Sequence, residues 1–421
     1  MSWDIKTIGE LCQIEKGKIG IRKATPGDFP LVVTAQERLS HNEYHFEGNA
    51  VVIPLVSSTG HGHRSLKRIH YQTGKFAVGN ILCAVIPNDE NILRADYLFR
   101  FLELNKEKEL VGRMRGMANV TLPIKEIAKI EIPLPPVEAQ IAFVEQFSIL
   151  EDKSHDLAEE LTHQLDLVKQ LRQAFLREAM QGKLVPQDPN DEPASVLLEK
   201  IKAEKERLIK EKKIRKQKPL PPITEEEIPF EIPENWVWCR LGDVAINRDK
   251  ERKPISRSER ERREKIYDYY GASGVIDQID GFTHDGKYVL IGEDGANLRA
   301  KSTPIAFIAE GKFWVNNHAR VLEFVDDITN YFMTYSLNII DINPYITGGF
   351  QPKLSQGNLI KIEIPLPPLS EQQRIITKID ELMQYCDDLE NSIKESQKHN
   401  ELLLQQVLRE ALEPKEENVE D

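Results

Sequence analysis

Asp294 stands ahead of an E-x-K triplet formed by Glu310 and Lys312, the residue types with which metal-dependent nucleases hold a divalent cation and activate water. Such D…ExK spacings arise often by chance, and nothing else in the sequence completes a metal set. The stretch INPYITG (342–348) approaches the NPPY loop of amino-methyltransferases but lacks one proline, and no glycine-rich strand–loop–helix cofactor site precedes it. GEDGANL (292–298) has two glycines without the Lys-Ser/Thr of a phosphate loop, so it reads as a turn. HGH (61–63) and HNEYH (41–45) bring histidines close together without HExxH spacing. No catalytic residue and no metal ligand is assigned from these patterns.

Recognition chemistry is better represented. Base edges in the major groove call for forked or paired donors, Arg for guanine and Asn or Gln for adenine, while phosphates take Lys, Arg or backbone NH. In the first half of the chain such residues cluster in HGHRSLKR (His61, His63, Arg64, Lys67, Arg68) and GRMRGMANVT (Arg113, Arg115, Asn119). In the second half they are Arg257 in a long basic run, Arg299 and Lys301 in NLRAKS, Asn316, Asn317, His318 and Arg320 in NNHAR, and Gln351 and Lys353 in GGFQPK. Each cluster alone reads equally as solvated surface. The glycine-containing stretches at 116 and 348–349 nonetheless fall at equivalent places in the two halves, which favours a shared role.

That equivalence follows from an internal repeat, which sets the architecture. The phrase IEIPLPP begins at Ile130 and again at Ile362, an offset of 232 that continues without a gap through Gln140 and Gln372 to QAFLREAM (173–180) over QQVLREAL (405–412). Trp3 and IGEL (8–11) align with Trp236 and LGDV (241–244). The chain is therefore two copies of one plan, a globular block, a proline-rich junction and a helix. The prolines fix φ and push their predecessors to extended geometry, so the junction is a stiff strand-to-helix connection.

Beyond each junction apolar residues recur at steps of three and four. Phe147, Leu150, Leu157, Leu161 and Leu171 mark the first helix, and Ile379, Leu382, Leu389, Ile393 and Leu403 the second, with polar Ser154 and Gln164 or Ser396 and Asn400 in the gaps. Helices of about 40 residues span about 60 Å, and so narrow an apolar stripe needs a partner. The other copy is the nearest one, paired about a pseudo-two-fold axis. The simpler alternative is that each helix packs on its own block. Between the copies a short, very charged helix is expected from about Ala194 to Lys216.

The blocks mix strand-like runs (48–56, 79–87, 286–292, 304–315) with helical ones (95–110, 328–338), so the fold class is α+β: two globular blocks joined by two long paired helices with a pseudo-two-fold internal repeat. The expected divisions are 1–136, 137–235, 236–368 and 369–421. The four cysteines are scattered, with no CxxC, and the N-terminus lacks a basic and apolar leader pattern, which together fit a reducing cytoplasm. No apolar run reaches a membrane span. The net charge of −12 argues against nucleic acid only at first sight, because the acid concentrates in the helical segments and the stretch 1–129 carries a small basic excess.

IPLPPLSEQQRI (364–375), LRQAFLREAMQGKLVPQ (171–187), EIPENWVWCRLGDVA (231–245), GKYVLIGEDGANL (286–298) and WVNNHARVL (314–322) together resemble the specificity subunit of type I restriction–modification systems. The resemblance spans nearly the whole chain and is fuller in the second block than in the first. It implies two target-recognition domains, each reading one half of a split double-stranded DNA sequence, and two antiparallel helices that act as a ruler for the nonspecific spacer. It also implies two methyltransferase subunits carrying S-adenosylmethionine, and ATP- and Mg-dependent translocating restriction subunits, with no cofactor in this chain. Two competing readings stay open at this point. One is a chain that itself methylates or nicks DNA; the other is a coiled-coil adaptor whose blocks bind protein.

Overall fold

The computed structural model describes residues 3–59 and 62–410, and resolves two compact units: residues 1–163 with 393–421, and residues 164–392. Each unit therefore holds one globular block, the start of one long helix and the end of the other.

In the first unit, a four-stranded antiparallel sheet runs in the order Cys12–Lys16, Leu82–Pro87, Ala50–Pro54, His70–Gln72. A second four-stranded sheet has the order Leu39–His41, Phe29–Val32, Lys75–Val78, Phe46–Glu47. The run AVVIP is buried throughout because both of its faces are covered. Val51 and Ile53 face the core that holds Leu98 and Leu102 of the helix Ala95–Leu104, while Ala50 and Val52 face Phe46 and Phe76. The helix expected over 95–110 stops at Leu104 and continues as a wider turn over Lys106–Leu110.

In the second unit, a six-stranded sheet centres on His284–Gly292, which pairs with Ala306–Val315 on one side and Ala319–Glu323 on the other. Val289 and Ile291 enter the main core with Phe332, Met333 and Leu337 of the helix Asp327–Ile339. Asp326 caps that helix, its carboxylate accepting from the Thr329 amide at 2.7 Å. The charged helix runs over Ala194–Lys210 and ends sooner than expected. Lys212 takes a left-handed φ of 59°, and the Lys213 amide reaches back to the Leu208 carbonyl at 2.9 Å, a helix-terminating turn.

The repeated phrase closes each block. Glu131–Leu134 pairs antiparallel with Asp4–Thr7, and Glu363–Leu366 with Val237–Arg240, so each block's first and last strands form a two-stranded clasp. Proline is tolerated there because a two-stranded ladder is all edge. The chain then enters the long helices Val137–Met180 and Leu369–Glu410.

The helices do both things the periodicity allowed. Their first turns pack on their own blocks: Phe143 and Phe147 on the first core, Ile375, Ile376 and Ile379 on the second. Further along they meet each other. Within the first unit Asn400 donates to the Ser154 carbonyl at 2.8 Å, so polar gaps of the two stripes face one another. Within the second, Arg172 pairs with Asp387 at 2.6 Å and with Glu390 at 3.1 Å. Leu161 and Ile393 are buried, while Leu150, Leu171, Leu382 and Leu389 are half-buried. Four expected pairing positions are corrected: Phe147 and Ile379 pack on their own blocks, and Leu157 and Leu403 face outward. Leu157 is 45% exposed and Leu403 61%, so neither is covered by the other helix, although Leu161 and Val168 on the same stripe are buried.

Candidate nucleic-acid interface

Each block carries a hairpin just ahead of its clasp. In the first unit Arg115 and Thr121 exchange both backbone hydrogen bonds at 2.8 Å, and in the second Thr347 and Lys353 do so at 2.9 and 2.8 Å. The two hairpins keep the register of the IEIPLPP repeat, Arg115 aligning with Thr347 and Thr121 with Lys353. Each turns on a glycine with positive φ, 110° at Gly116 and 82° at Gly348. A Cβ there would lie 2.3 Å from the Asn119 carbonyl oxygen or 2.5 Å from that of Gln351, so only glycine fits. Docking is also shared. Ser57 and Gly295 donate to the Val120 and Pro352 carbonyls at 3.0 Å, and Leu122 and Leu354 to those of Leu55 and Glu293 at 2.9 and 2.8 Å.

Around the second hairpin, exposed donors collect from three segments. Gln351 and Lys353 come from the hairpin itself, Arg299 donates to the Gly348 carbonyl at 3.4 Å, and Asn317 and His318 come from the turn before Ala319–Glu323. His318 is held at 3.0 Å from both Asp294 oxygens. Beneath them lies a buried charge network. Glu293 receives Arg252 at 2.9 Å, Arg320 at 3.0 Å and Lys353 at 3.3 Å, while Asp249 receives Arg320 at 2.7 Å. Low polarity around such a network makes each missing partner costly, so it fixes the height of the hairpin above the sheet.

Around the first hairpin, Arg115 and Asn119 are exposed, and Gly62, with φ 80°, packs against the Met117 carbonyl. That contact brings the loop carrying exposed His63, Arg64 and Lys67 to the hairpin tip. Arg68 is half-buried and donates to Gln36 at 3.3 Å, and Arg113 is held by Glu109 at 2.8 Å. His61 lies outside the described residues.

Several candidate contact residues are placed elsewhere, for stated physical reasons. Arg320 is buried, its guanidinium taken up by Asp249 and Glu293. Asn316 is buried and its carboxamide oxygen accepts from the His318 amide at 2.7 Å, shaping the turn. Lys301 turns back with φ 45° and donates to the Asn338 and Ile340 carbonyls at 3.1 and 2.6 Å, where it caps the helix Asp327–Ile339. Arg257 is exposed on a separate turn, paired with Glu261 at 3.0 Å. These four position or flank the surface.

The candidate catalytic residues are not brought together. Glu310 lies opposite Lys287, five residues along the strand from Gly292, whereas Asp294 lies beyond Gly292; that separates them by about 17 Å or more. Asn343–Tyr345 forms a tight turn whose tyrosine hydroxyl donates to Glu363, against the clasp. The histidine pair His41 and His45 sits with ring centroids 6.0 Å apart, His41 at the end of Leu39–His41 and His45 just ahead of Phe46–Glu47, away from the hairpin.

Sequence reasoning missed Glu293, Arg252 and Asp249, the acids and base that hold the hairpin. The signal was an acidic residue inside GEDGANL, read only as a turn. It also missed Met117 and Phe350, which the exposed donors overshadowed.

A family model described as type I restriction modification DNA specificity domain matches residues 1–167 and 233–398. The chain is similar to the type I restriction enzyme EcoAI specificity subunit of Escherichia coli, 35% identical over 267 residues, covering 58% of this chain and 44% of that one. It is similar also to the EcoEI specificity subunit of Escherichia coli, 32% identical over 253 residues, covering 54% of this chain and 42% of that one. These matches span less than half the length of either relative. Among solved structures, the HsdS subunit from Thermoanaerobacter tengcongensis shares the fold, with a TM-score of 0.58 at 17% identity over 98% of this chain and 96% of that one.

Proposed function

The chain belongs to the type I restriction–modification DNA specificity family, and from that premise we propose that it is the non-catalytic subunit that reads a bipartite, asymmetric DNA target, one half in each block. The observation that carries this reading is the pair of equivalent hairpins, each glycine-hinged and each ringed by exposed Arg, Lys, Asn, Gln or His side chains. Forked and amide donors match base edges, and the lysines match phosphates. The flanking charges fix position; the hairpin side chains discriminate.

The paired helices set the distance between the two half-sites and dock two methyltransferase subunits. Ile149, Leu157, Leu402 and Leu403 in the first unit, and Leu167 and Tyr385 in the second, are apolar and exposed along these helices, as a docking face requires. Methylation with S-adenosylmethionine, and ATP- and Mg-dependent translocation and cleavage, belong to partner subunits in this reading. The natural setting is the cytoplasm, where such a complex meets the chromosome. The functional divisions are 1–136 and 236–368 for the two readers, with 137–235 and 369–421 as connecting helices and linker.

Long-read methylation mapping in cells expressing the chain with a methyltransferase partner tests this. A split asymmetric motif modified on both strands is the expected result. Exchanging residues 1–129 for the first block of a relative should then change one half of the motif and preserve the other; a change in both halves would overturn independent reading.

A further inference from the structure

Met117 and Phe350 are the most exposed large apolar side chains among the described residues, Met117 at 92% and Phe350 with its ring wholly in solvent. Neither contributes to a core. Both stand at the tips of the two equivalent hairpins, and the rest of each hairpin is built to hold its tip still: two-way backbone bonds at the base, a left-handed glycine against a carbonyl, and docking on the neighbouring loop. A rigid mount carrying an apolar tip in each copy needs a partner for the tip.

We propose that Met117 and Phe350 are apolar wedges that enter the base stack of the DNA, one in each half-site, and part neighbouring base pairs while the surrounding donors read their edges. This rests on the reading of each block as a DNA reader and adds a mechanism to it. The partner is identified by what surrounds the tips. Arg115 and Asn119 flank Met117, and Gln351, Lys353 and Arg299 flank Phe350, all exposed. An apolar protein pocket closing over either tip would bury the Arg299 guanidinium and the Asn119 and Gln351 amides, and would strip water from the half-exposed Arg115–Glu126 and Lys353–Glu293 pairs, whereas a duplex offers phosphates to the cations, base edges to the amides and a stack to the apolar group. In the shared register the two tips are one residue apart, Met117 aligning with Gly349 and Phe350 with Ala118. What the copies share is an apolar tip and not one equivalent position.

The consequence is that the half-sites are deformed as well as contacted, so steps that unstack easily, pyrimidine–purine steps above all, are favoured under each tip. Recognition then has two components, donors to base edges and the ease of opening one step.

The test uses the full chain assembled with its methyltransferase subunits. A duplex is first selected from a random pool, and 2-aminopurine is then placed singly at each step of both half-sites. The expected result is a fluorescence rise on binding at one step in each half. Phe350→Ala should abolish the rise in one half and lower affinity about tenfold, while Met117→Ala should do the same in the other half only; Phe350→Leu should keep most of both signals. Unchanged thermal melting and unchanged subunit assembly would show that the exposed-site variants fold. A selected duplex with no rise at any step overturns the wedge and leaves the DNA-reading function standing. Selection of no duplex overturns both. A Phe350→Ala complex that loses methyltransferase assembly but keeps its fluorescence rise shows that the tip docks protein, and also overturns the proposal.

Discussion

Gln140 donates from its side-chain amide to the Pro135 carbonyl at 2.9 Å, and in the second copy of the repeat Gln372 donates to the Pro367 carbonyl at 3.0 Å. Both glutamines are fully buried one turn inside their helices. The Pro135 and Pro367 carbonyls stand one residue ahead of the helical ladder, which begins with the carbonyls of Pro136 and Pro368, and the glutamine reaches back to pair each. The same amide of Gln140 also donates to the Ile92 carbonyl at 2.9 Å, and its oxygen accepts from the Arg94 amide at 2.9 Å, which ties helix to block. The repeated junction is thus a rigid joint and not a linker.

Gln140→Leu and Gln372→Leu should each destabilise the chain by about 1–3 kcal/mol, since each strands a buried carbonyl. Gln140→Leu should be the worse of the two because it loses three hydrogen bonds. Urea unfolding of the two variants measures this. Equal and negligible losses would mean that water or backbone adjustment satisfies the joint.

Gly116→Ala and Gly348→Ala place a Cβ within 2.5 Å of a carbonyl oxygen at a positive φ. The hairpin must change its turn, at a strain of about 1–3 kcal/mol. The hairpins are peripheral, so global stability should fall by less than that while target affinity falls tenfold or more. Methylation mapping should show Gly116→Ala relaxing one half-site and Gly348→Ala the other. Loss of both halves from one substitution would contradict separate readers.

Arg172 is partly exposed between Asp387 and Glu390, so water and salt screen its charge. Arg172→Ala should therefore cost no more than about 1 kcal/mol. Leu161, buried where the helices run together in the first unit, should cost about 2–4 kcal/mol when truncated to Ala. Salt titration of the unfolding midpoint separates the two: the Arg172→Ala effect shrinks with salt and the Leu161→Ala effect does not.

The repeat, the proline junctions and the long helices were legible because covalent geometry and helical period write them directly into residue order. Phe147 and Ile379 were legible as buried, yet their partners were not, since a stripe shows that a face is covered and not what covers it. Leu157 and Leu403 fit the stripe and are nonetheless exposed, since periodicity does not show how much of a stripe its partner covers. The candidate surface was half legible. Gln351 and Lys353 sit where the glycine hairpin presents them, but Arg320 and Lys301 look the same in sequence and are consumed by Asp249, Glu293 and the helix end they cap. Which arginine faces solvent depends on acids that the fold brings in from distant parts of the chain, and no local pattern carries that.

His284 supplies the last prediction. Its ring stacks on Phe313 at 5.4 Å with planes 6° apart, its Nδ1 meets the Thr283 hydroxyl at 2.8 Å, and its Nε2 is buried with no hydrogen bond, the Glu251 carboxylate lying 3.8 Å away. Burial, with help from the charges of Arg248 and Arg252 nearby, lowers its pKa to about 4, against the opposing pull of the Arg248 backbone and of Asp249. In the unfolded chain the ring takes up its proton near pH 6.5. Between those values the unfolded state binds a proton that the folded state refuses, so stability present at neutral pH drains away as pH falls from about 6.5 to about 4. His284→Phe keeps a ring against Phe313 and removes the titration. The variant should lose less of its melting temperature than the wild type between pH 7 and pH 5, even if it starts lower for want of the Thr283 hydrogen bond. A residual slope is expected from His70, buried in the first unit with its pKa likewise lowered to about 4. Should the two proteins lose the same number of degrees over that interval, His284 would have to accept its proton in the fold, and Glu251, 3.8 Å from its Nε2, would be the group that lets it.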